Sequence, residues 1–133
     1  MRFEEMFGAA EWVGYAAGDA PSLLFRAPFC TEKPLSATLT VVGLGVFEAL
    51  LNGRRVSEDL FLPLSTDYAP RSFKIGKGED FGEVTAHRLY CPRYDVTALI
   101  EAGENVLAVL TGPGWFDMRW EQRYGAQRLV FSL

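Results

Sequence analysis

The chain of 133 residues fits a single domain, and its 49% hydrophobic content supplies enough apolar side chains for one sizeable core. Thirteen Lys and Arg against seventeen Asp and Glu leave a net charge of −4, the wrong sign for a protein that binds by neutralising phosphates, so no nucleic-acid partner is expected. No run approaches the ~20 apolar residues that span a bilayer, and the acidic start Met1-Arg2-Phe3-Glu4-Glu5 does not read as an export signal, so no membrane partner is expected and the expected location is cytoplasmic.

In chain order, the stretch Ala9 to Tyr15 is weakly patterned, and Trp12 is read as a plug at one end of the fold. Ser22–Phe29 reads as a strand. Leu35–Val42 follows as another, with Thr38, Thr40 and Val42 on one face and Leu39 and Val41 on the other, a period that suits a pleated surface. Gly43 and Gly45 flank Leu44 and point to a bulge or a close backbone approach. The sharpest local signal comes next: Val46–Leu51, then Asn52-Gly53, then Arg54-Arg55-Val56. Asn-Gly supplies the two positive-φ residues of a type I′ turn, which predicts a hairpin, and Leu35–Val42 is expected beside it.

Ser72–Ala86, with Gly76, Gly78, Gly82 and alternating charge, is expected as an extended loop or mobile hairpin. Arg88–Tyr94, Asn105–Thr111 and Gln127–Leu133 read as further strands. Between the first two, Asp95–Gly103 reads as a single helical turn, with Asp95 or Thr97 accepting an orphan amide and Gly103 suited to a left-handed exit. Pro21, Pro28, Pro34 and Pro92 lack a ladder donor and belong at strand ends, edges or loops. The fold class expected is all-β: an antiparallel sandwich with at most one or two short helical turns.

Little in the sequence supports chemistry by this chain. Cys30 and Cys91 form no C-x-x-C unit and are read as two buried thiols in a reducing compartment. The adjacent pairs Glu4–Glu5, Glu58–Asp59 and Glu79–Asp80 are read as solvated charge, since consecutive strand residues point to opposite faces. His87 has no nucleophile elbow, and Gly76-Lys77-Gly78 has no Lys-Ser/Thr step or following helix to cradle phosphate. Asp95, Asp80 and Glu104 are conceivable calcium ligands, but no loop has dense oxygen spacing, so no cofactor or metal is expected. Thr66, Asp67 and Tyr68 are expected to bond loop backbone.

The order of several motifs is distinctive. Leu23-Leu24-Phe25-Arg26-Ala27-Pro28-Phe29, the strand Ala37 to Val42, Gly43-Leu44-Gly45 and Phe47 to Val56 are followed by Leu62-Pro63-Leu64-Ser65-Thr66-Asp67-Tyr68. Asp95-Val96-Thr97, Gly103-Glu104-Asn105 and Gly112-Pro113-Gly114-Trp115-Phe116 come after. This ordered set resembles the amino-terminal β-sandwich of bacterial α-L-rhamnosidases. Two departures stand out: Ser72–Ala86 is interposed, and the segment after Phe116 carries acidic and aromatic residues. The resemblance implies a jelly-roll or galactose-binding-like sandwich that precedes a helical toroid carrying the catalytic carboxylates of an inverting hydrolase. On that reading this chain is catalytically silent and its partner is the toroid domain of a parent chain, which it braces.

One patch suits a sugar ring, whose apolar face stacks on aromatics while its hydroxyls meet polar groups. It comprises Trp115, Phe116 and Trp120 with Asp117 and Arg119, followed by Glu121, Gln122 and Arg123. Packing of Trp115 and Phe116 into the core or against a neighbouring domain is the competing reading. Rhamnose-containing carbohydrate is therefore a second expected partner, and a stand-alone carbohydrate-binding module the alternative function.

Overall fold

Alternation along the strands closes a core between two sheets in the computed structural model, which describes residues 2–15, 22–60, 62–63, 71–75, 79–84, 89–118 and 122–133. The elements are α1 (Phe3–Phe7), β1 (Val13–Gly14), β2 (Leu23–Thr31), β3 (Thr38–Leu44), β4 (Val46–Leu51), β5 (Arg54–Arg55), β6 (Arg71–Ile75), β7 (Glu79–Val84), β8 (Arg93–Asp95), β9 (Gly103–Gly112), β10 (Asp117–Met118), β11 (Gln122–Arg123) and β12 (Arg128–Ser132). A 3-10 turn covers Thr97–Leu99. One four-stranded sheet runs β1-β12-β3-β8 and the other β2-β9-β4-β5, with every pairing antiparallel. This is the expected all-β antiparallel sandwich.

Leu39 and Val41 of β3 and Leu129 of β12 meet Phe47, Ala49 and Leu51 of β4 and Leu107 and Val109 of β9, all buried. Phe25, Ala27 and Phe29 of β2 pack against the same cluster. Pro28 lies within β2, where its missing N–H is tolerated because β2 is an edge strand.

The structure alters several sequence-based expectations. Leu35–Val42 was expected beside the hairpin, yet β3 and β4 lie in opposite sheets. Gly45 alone separates them and adopts φ +119°, which lets the chain leave one layer and enter the other within a single residue. Trp12 does not plug an end of the sandwich. With Phe3, on which its ring stacks at 6.3 Å, it packs against the buried trio Phe7, Val42 and Val130. Val42 and Val130 point away from the core, so α1 and Trp12 cover the outer face of β12-β3. Glu4 and Glu5 therefore lie on this short helix rather than on a strand, and Glu5 Oε2 accepts the Arg2 N–H at 3.0 Å. Cys30 is exposed, not buried, because the alternation of β2 turns it outward; Cys91 is half-buried, which pushes its thiol pKa up. Of the expected Arg88–Tyr94 strand, Arg93 and Tyr94 have register partners among the described residues, and the strand runs on to Asp95. The expected segment Ser72–Ala86 contains a hairpin, β6 with β7, whose register shifts between Ser72 and Lys74. His87, Thr66, Asp67, Tyr68 and Gly76-Lys77-Gly78 lie outside the described residues.

The predicted Asn-Gly turn is present, with φ +53° at Asn52 and +76° at Gly53. Its asparagine also reaches inward. Asn52 Nδ2 donates to the Leu99 carbonyl at 2.9 Å and to Asn105 Oδ1 at 2.7 Å, and Asn52 Oδ1 accepts the Val106 N–H at 2.9 Å. Asn105 is 2% exposed and bonds the backbone of Glu101 and Gly103 as well. The amide at the start of the turn is met as expected, since Asp95 Oδ1 accepts the Thr97 N–H at 3.0 Å and its hydroxyl at 2.6 Å, while Thr97 Oγ1 accepts the Ala37 N–H at 2.9 Å. The turn itself is shorter than expected and leaves through Ile100 at φ −86°, with Gly103 opening β9 instead.

Two predictions follow from packing and capping. Leu107→Ala removes a fully buried side chain and is expected to cost about 2–5 kcal/mol, read as a lower urea midpoint; an unchanged midpoint would refute its place in the core. The Thr97 hydroxyl and then its backbone N–H hold the Asp95 carboxyl below its ordinary 3.8. The stability this confers is present above 3.8 and lost as pH falls through the lowered value, so Asp95→Ala should flatten the acid limb of a stability-against-pH curve.

Candidate functional site

The candidate sugar patch lies where β9 leaves its sheet. Gly45 brings the turn after β9 against the start of β4: a Cβ on Gly45 would lie 2.1 Å from the Gly112 carbonyl oxygen. The chain then turns, with the N–H groups of Phe116 and Asp117 donating to the Pro113 carbonyl at 3.2 and 3.3 Å. This turn separates neighbouring side chains. Trp115 is 60% exposed, whereas Phe116 is 8% exposed and packs on Tyr124 with ring centroids 5.9 Å apart. The Tyr124 N–H donates to the Phe116 carbonyl at 3.1 Å, and β10 pairs with β11 through Asp117 and Arg123.

Of the five residues proposed from sequence for carbohydrate, Trp115, Phe116 and Asp117 are described, and Arg119 and Trp120 lie outside the described residues. Phe116 and Asp117 are buried. Trp115 alone of the three presents an open ring, so this turn offers a stacking surface but no described polar cluster beside it. Asn52 and Gly53 lie at the opposite end of the same sheet, since β4 begins beside Gly112 and ends at the turn.

A second surface went unnoticed as a site in the sequence. The outward residues of β2, β9 and β4 include Leu24, Pro28, Val106, Ala108, Leu110 and Leu50, set side by side by the register Leu24–Leu110, Arg26–Ala108–Leu50 and Pro28–Val106. Leu24 is 67% and Leu110 45% exposed. The signal was present in Val106-Leu107-Ala108-Val109-Leu110, an unbroken apolar run of the kind found in strands covered on both faces. The hairpin edge of this face is polar, with Glu48 and Arg55 paired across β4 and β5.

Between β2 and the end of β12 lies an open slot of about 790 Å³, lined by Ala27, Phe29, Ala37 and Phe131, with the buried Ile100 and Leu107 behind them. Among the described residues, no Asp or Glu lines it. The exposed pair Glu58 and Asp59 sits beside the hairpin, where the Ser57 hydroxyl bonds Asp59. Burial, helped by the charge of Asp59, pushes the Tyr94 phenol up. Among the described residues, no three His, Cys, Asp or Glu side chains gather in one place. Asp95, one of the conceivable calcium ligands, directs a carboxylate oxygen to Thr97.

Comparison with known proteins assigns this architecture. Residues 32–74 match the family described as the α-L-rhamnosidase N-terminal domain. An α-L-rhamnosidase of Streptomyces avermitilis is 35% identical over 114 residues, which is 83% of this chain and 9% of that protein. The chain carries an α-L-rhamnosidase amino-terminal domain. A Formosa agariphila α-L-rhamnosidase is 33% identical over 129 residues, covering 86% of this chain and 12% of its own length. Among solved structures, the Streptomyces avermitilis α-L-rhamnosidase complexed with L-rhamnose superposes with a TM-score of 0.65 at 32% identity, over 84% of this chain and 10% of that one. The Aspergillus terreus α-L-rhamnosidase shares the fold, with a TM-score of 0.70 at 23% identity over 98% of this chain and 15% of its own. The rhamnosidase-type domain thus spans about a tenth of the curated relatives it matches.

The crossing between sheets is a sensitive point of this domain. Gly45→Ala meets a backbone carbonyl and also a positive φ, and is expected to cost more than 2 kcal/mol on the ~1–3 kcal/mol scale of a strained backbone plus the clash. Gly53→Ala meets only the positive φ, with open space around its Cβ, and should cost about 1–2 kcal/mol. Thermal unfolding of the two variants checks the order; equal losses would contradict it.

Proposed function

We propose that this domain is a non-catalytic accessory module of an α-L-rhamnosidase-type chain, and that it braces a tethered neighbouring domain through the outer face of β2, β9 and β4. The observation that carries this is the asymmetry of the sandwich. The outer face of β12-β3 is covered by α1 and Trp12, whereas Leu24 and Leu110 on the other sheet face solvent. Three strands about 4.8 Å apart and ~20–34 Å long present roughly 400 Å². A stable complex of free proteins buries about 800 Å² on each partner. A face this small suits a neighbour in the same polypeptide, whose effective concentration the covalent link supplies.

Catalysis belongs to that neighbour in this reading. Inverting glycoside hydrolysis needs two carboxyl groups about 6.5–9.5 Å apart across the sugar. Among the described residues the lining of the open slot holds no Asp or Glu, which supports placing the two carboxyl groups elsewhere. Carbohydrate contact is a second reading, favoured by the exposed indole of Trp115 at the turn after β9. L-rhamnose is the sugar to try, since the Streptomyces avermitilis relative was solved with it.

Leu24→Ser with Leu110→Ser tests the brace. The isolated domain should keep its stability to within about 0.5 kcal/mol, as for exposed positions. A longer rhamnosidase-type chain carrying the domain should unfold at a lower temperature than its parent. An unchanged Tm in the longer chain defeats the brace. Quenching of tryptophan fluorescence by millimolar L-rhamnose, lost in Trp115→Ala, would instead establish the sugar contact.

A further inference from the structure

We propose that Asn52 is a latent site of spontaneous covalent modification, closed while the β4–β5 hairpin is docked and opened when it detaches. An asparagine followed by glycine is chemically labile because no side chain shields the next backbone nitrogen. At Gly53 even an added Cβ would meet nothing within 4 Å. In the reaction, the Gly53 nitrogen gives its proton to solvent base and bonds to Asn52 Cγ. The bond from Cγ to Nδ2 breaks, and the side-chain nitrogen takes up a proton and leaves as ammonia. Water then opens the five-membered imide at either carbonyl, giving aspartate or its isoaspartyl isomer without any redox change.

In the folded domain Cγ is not free to turn toward that nitrogen. Both of its polar substituents are held: Oδ1 by the Val106 N–H, and Nδ2 by the Leu99 carbonyl and Asn105 Oδ1. Rotation breaks all three bonds and leaves groups unsatisfied beside a residue that is 2% exposed. Asn105 cannot adapt by flipping its amide. Its Oδ1 accepts the Glu101 N–H at 2.9 Å, and its Nδ2 donates to the Glu101 and Gly103 carbonyls at 2.8 and 3.0 Å. Hence the modification is one-way in structure as well as in chemistry. A carboxylate at position 52 sets a negative oxygen against two acceptors, Leu99 O and Asn105 Oδ1, and the pin cannot re-form.

The test is simple because Asn52 and Asn105 are the only asparagines in the sequence, and Asn105 precedes the β-branched Val106. The 133-residue chain is incubated at mildly alkaline pH, folded and in concentrated urea, and conversion at Asn52 is followed by peptide mapping with ammonia release. Conversion should be ~100-fold slower in the folded chain, the scale of a local opening equilibrium. Folded Asn105→Ala should convert about ten times faster than the parent, a loss of ~1.4 kcal/mol of protection. Should that variant not fold, the parent in sub-denaturing urea serves: conversion should rise in step with hydrogen exchange of the hairpin amides. Equal rates in folded and unfolded chains, or conversion without hairpin exchange, would overturn the proposal. So would an Asn52→Asp variant as stable as the parent.

Discussion

Leu39, Val41 and Leu129 on one sheet and Leu51, Leu107 and Val109 on the other exclude water from each other, and the placement of nearly every other residue depends on this contact. Each strand contributes alternate residues to it, so its register cannot slip by one without turning the apolar set to solvent. Once inner faces are committed in this way, the outer faces become the only large surfaces on which the two sheets differ. One is closed by α1, through Phe7 and Trp12 over Val42 and Val130. The other keeps an aliphatic row, and this difference is the physical ground for the proposed brace.

The polar residues that carry the family resemblance turn out to be the fasteners of this core. Asn52 of the Asn-Gly turn and Asn105 of Gly103-Glu104-Asn105 bond each other, and Asp95 and Thr97 of Asp-Val-Thr tie the 3-10 turn to Ala37. Val96, between them, is fully buried. These groups sit at the end of the sandwich where β4, β9 and the Thr97–Leu99 turn meet, and an unmade bond there costs about 1–3 kcal/mol. Residues far apart in sequence are thus held in one hydrogen-bond system.

The opposite end of the sandwich is governed by close backbone approach. Gly45 lies against the Gly112 carbonyl, and in the turn that follows Phe116 is buried while Trp115 is turned outward. Whether that ring meets a sugar or a neighbouring domain, its exposure follows from the turn geometry, as Leu24 and Leu110 are exposed by the strand pleat.

Periodicity in the sequence determined the fold class, the Asn-Gly hairpin, the turn after Asp95 and the apolar face of β3, because each depends on neighbours within a few positions. The run Val106 to Leu110 also announced a strand apolar on both faces. Other features were decided by tertiary structure. Sequence adjacency placed β3 beside β4, and only the positive φ of Gly45 sent them into different sheets. Nothing local separates Trp115 from Phe116, or marks Asn105 as the partner of Asn52 across 53 positions. Such facts depend on which distant backbones come within contact distance, and chain order does not encode that distance at any single residue.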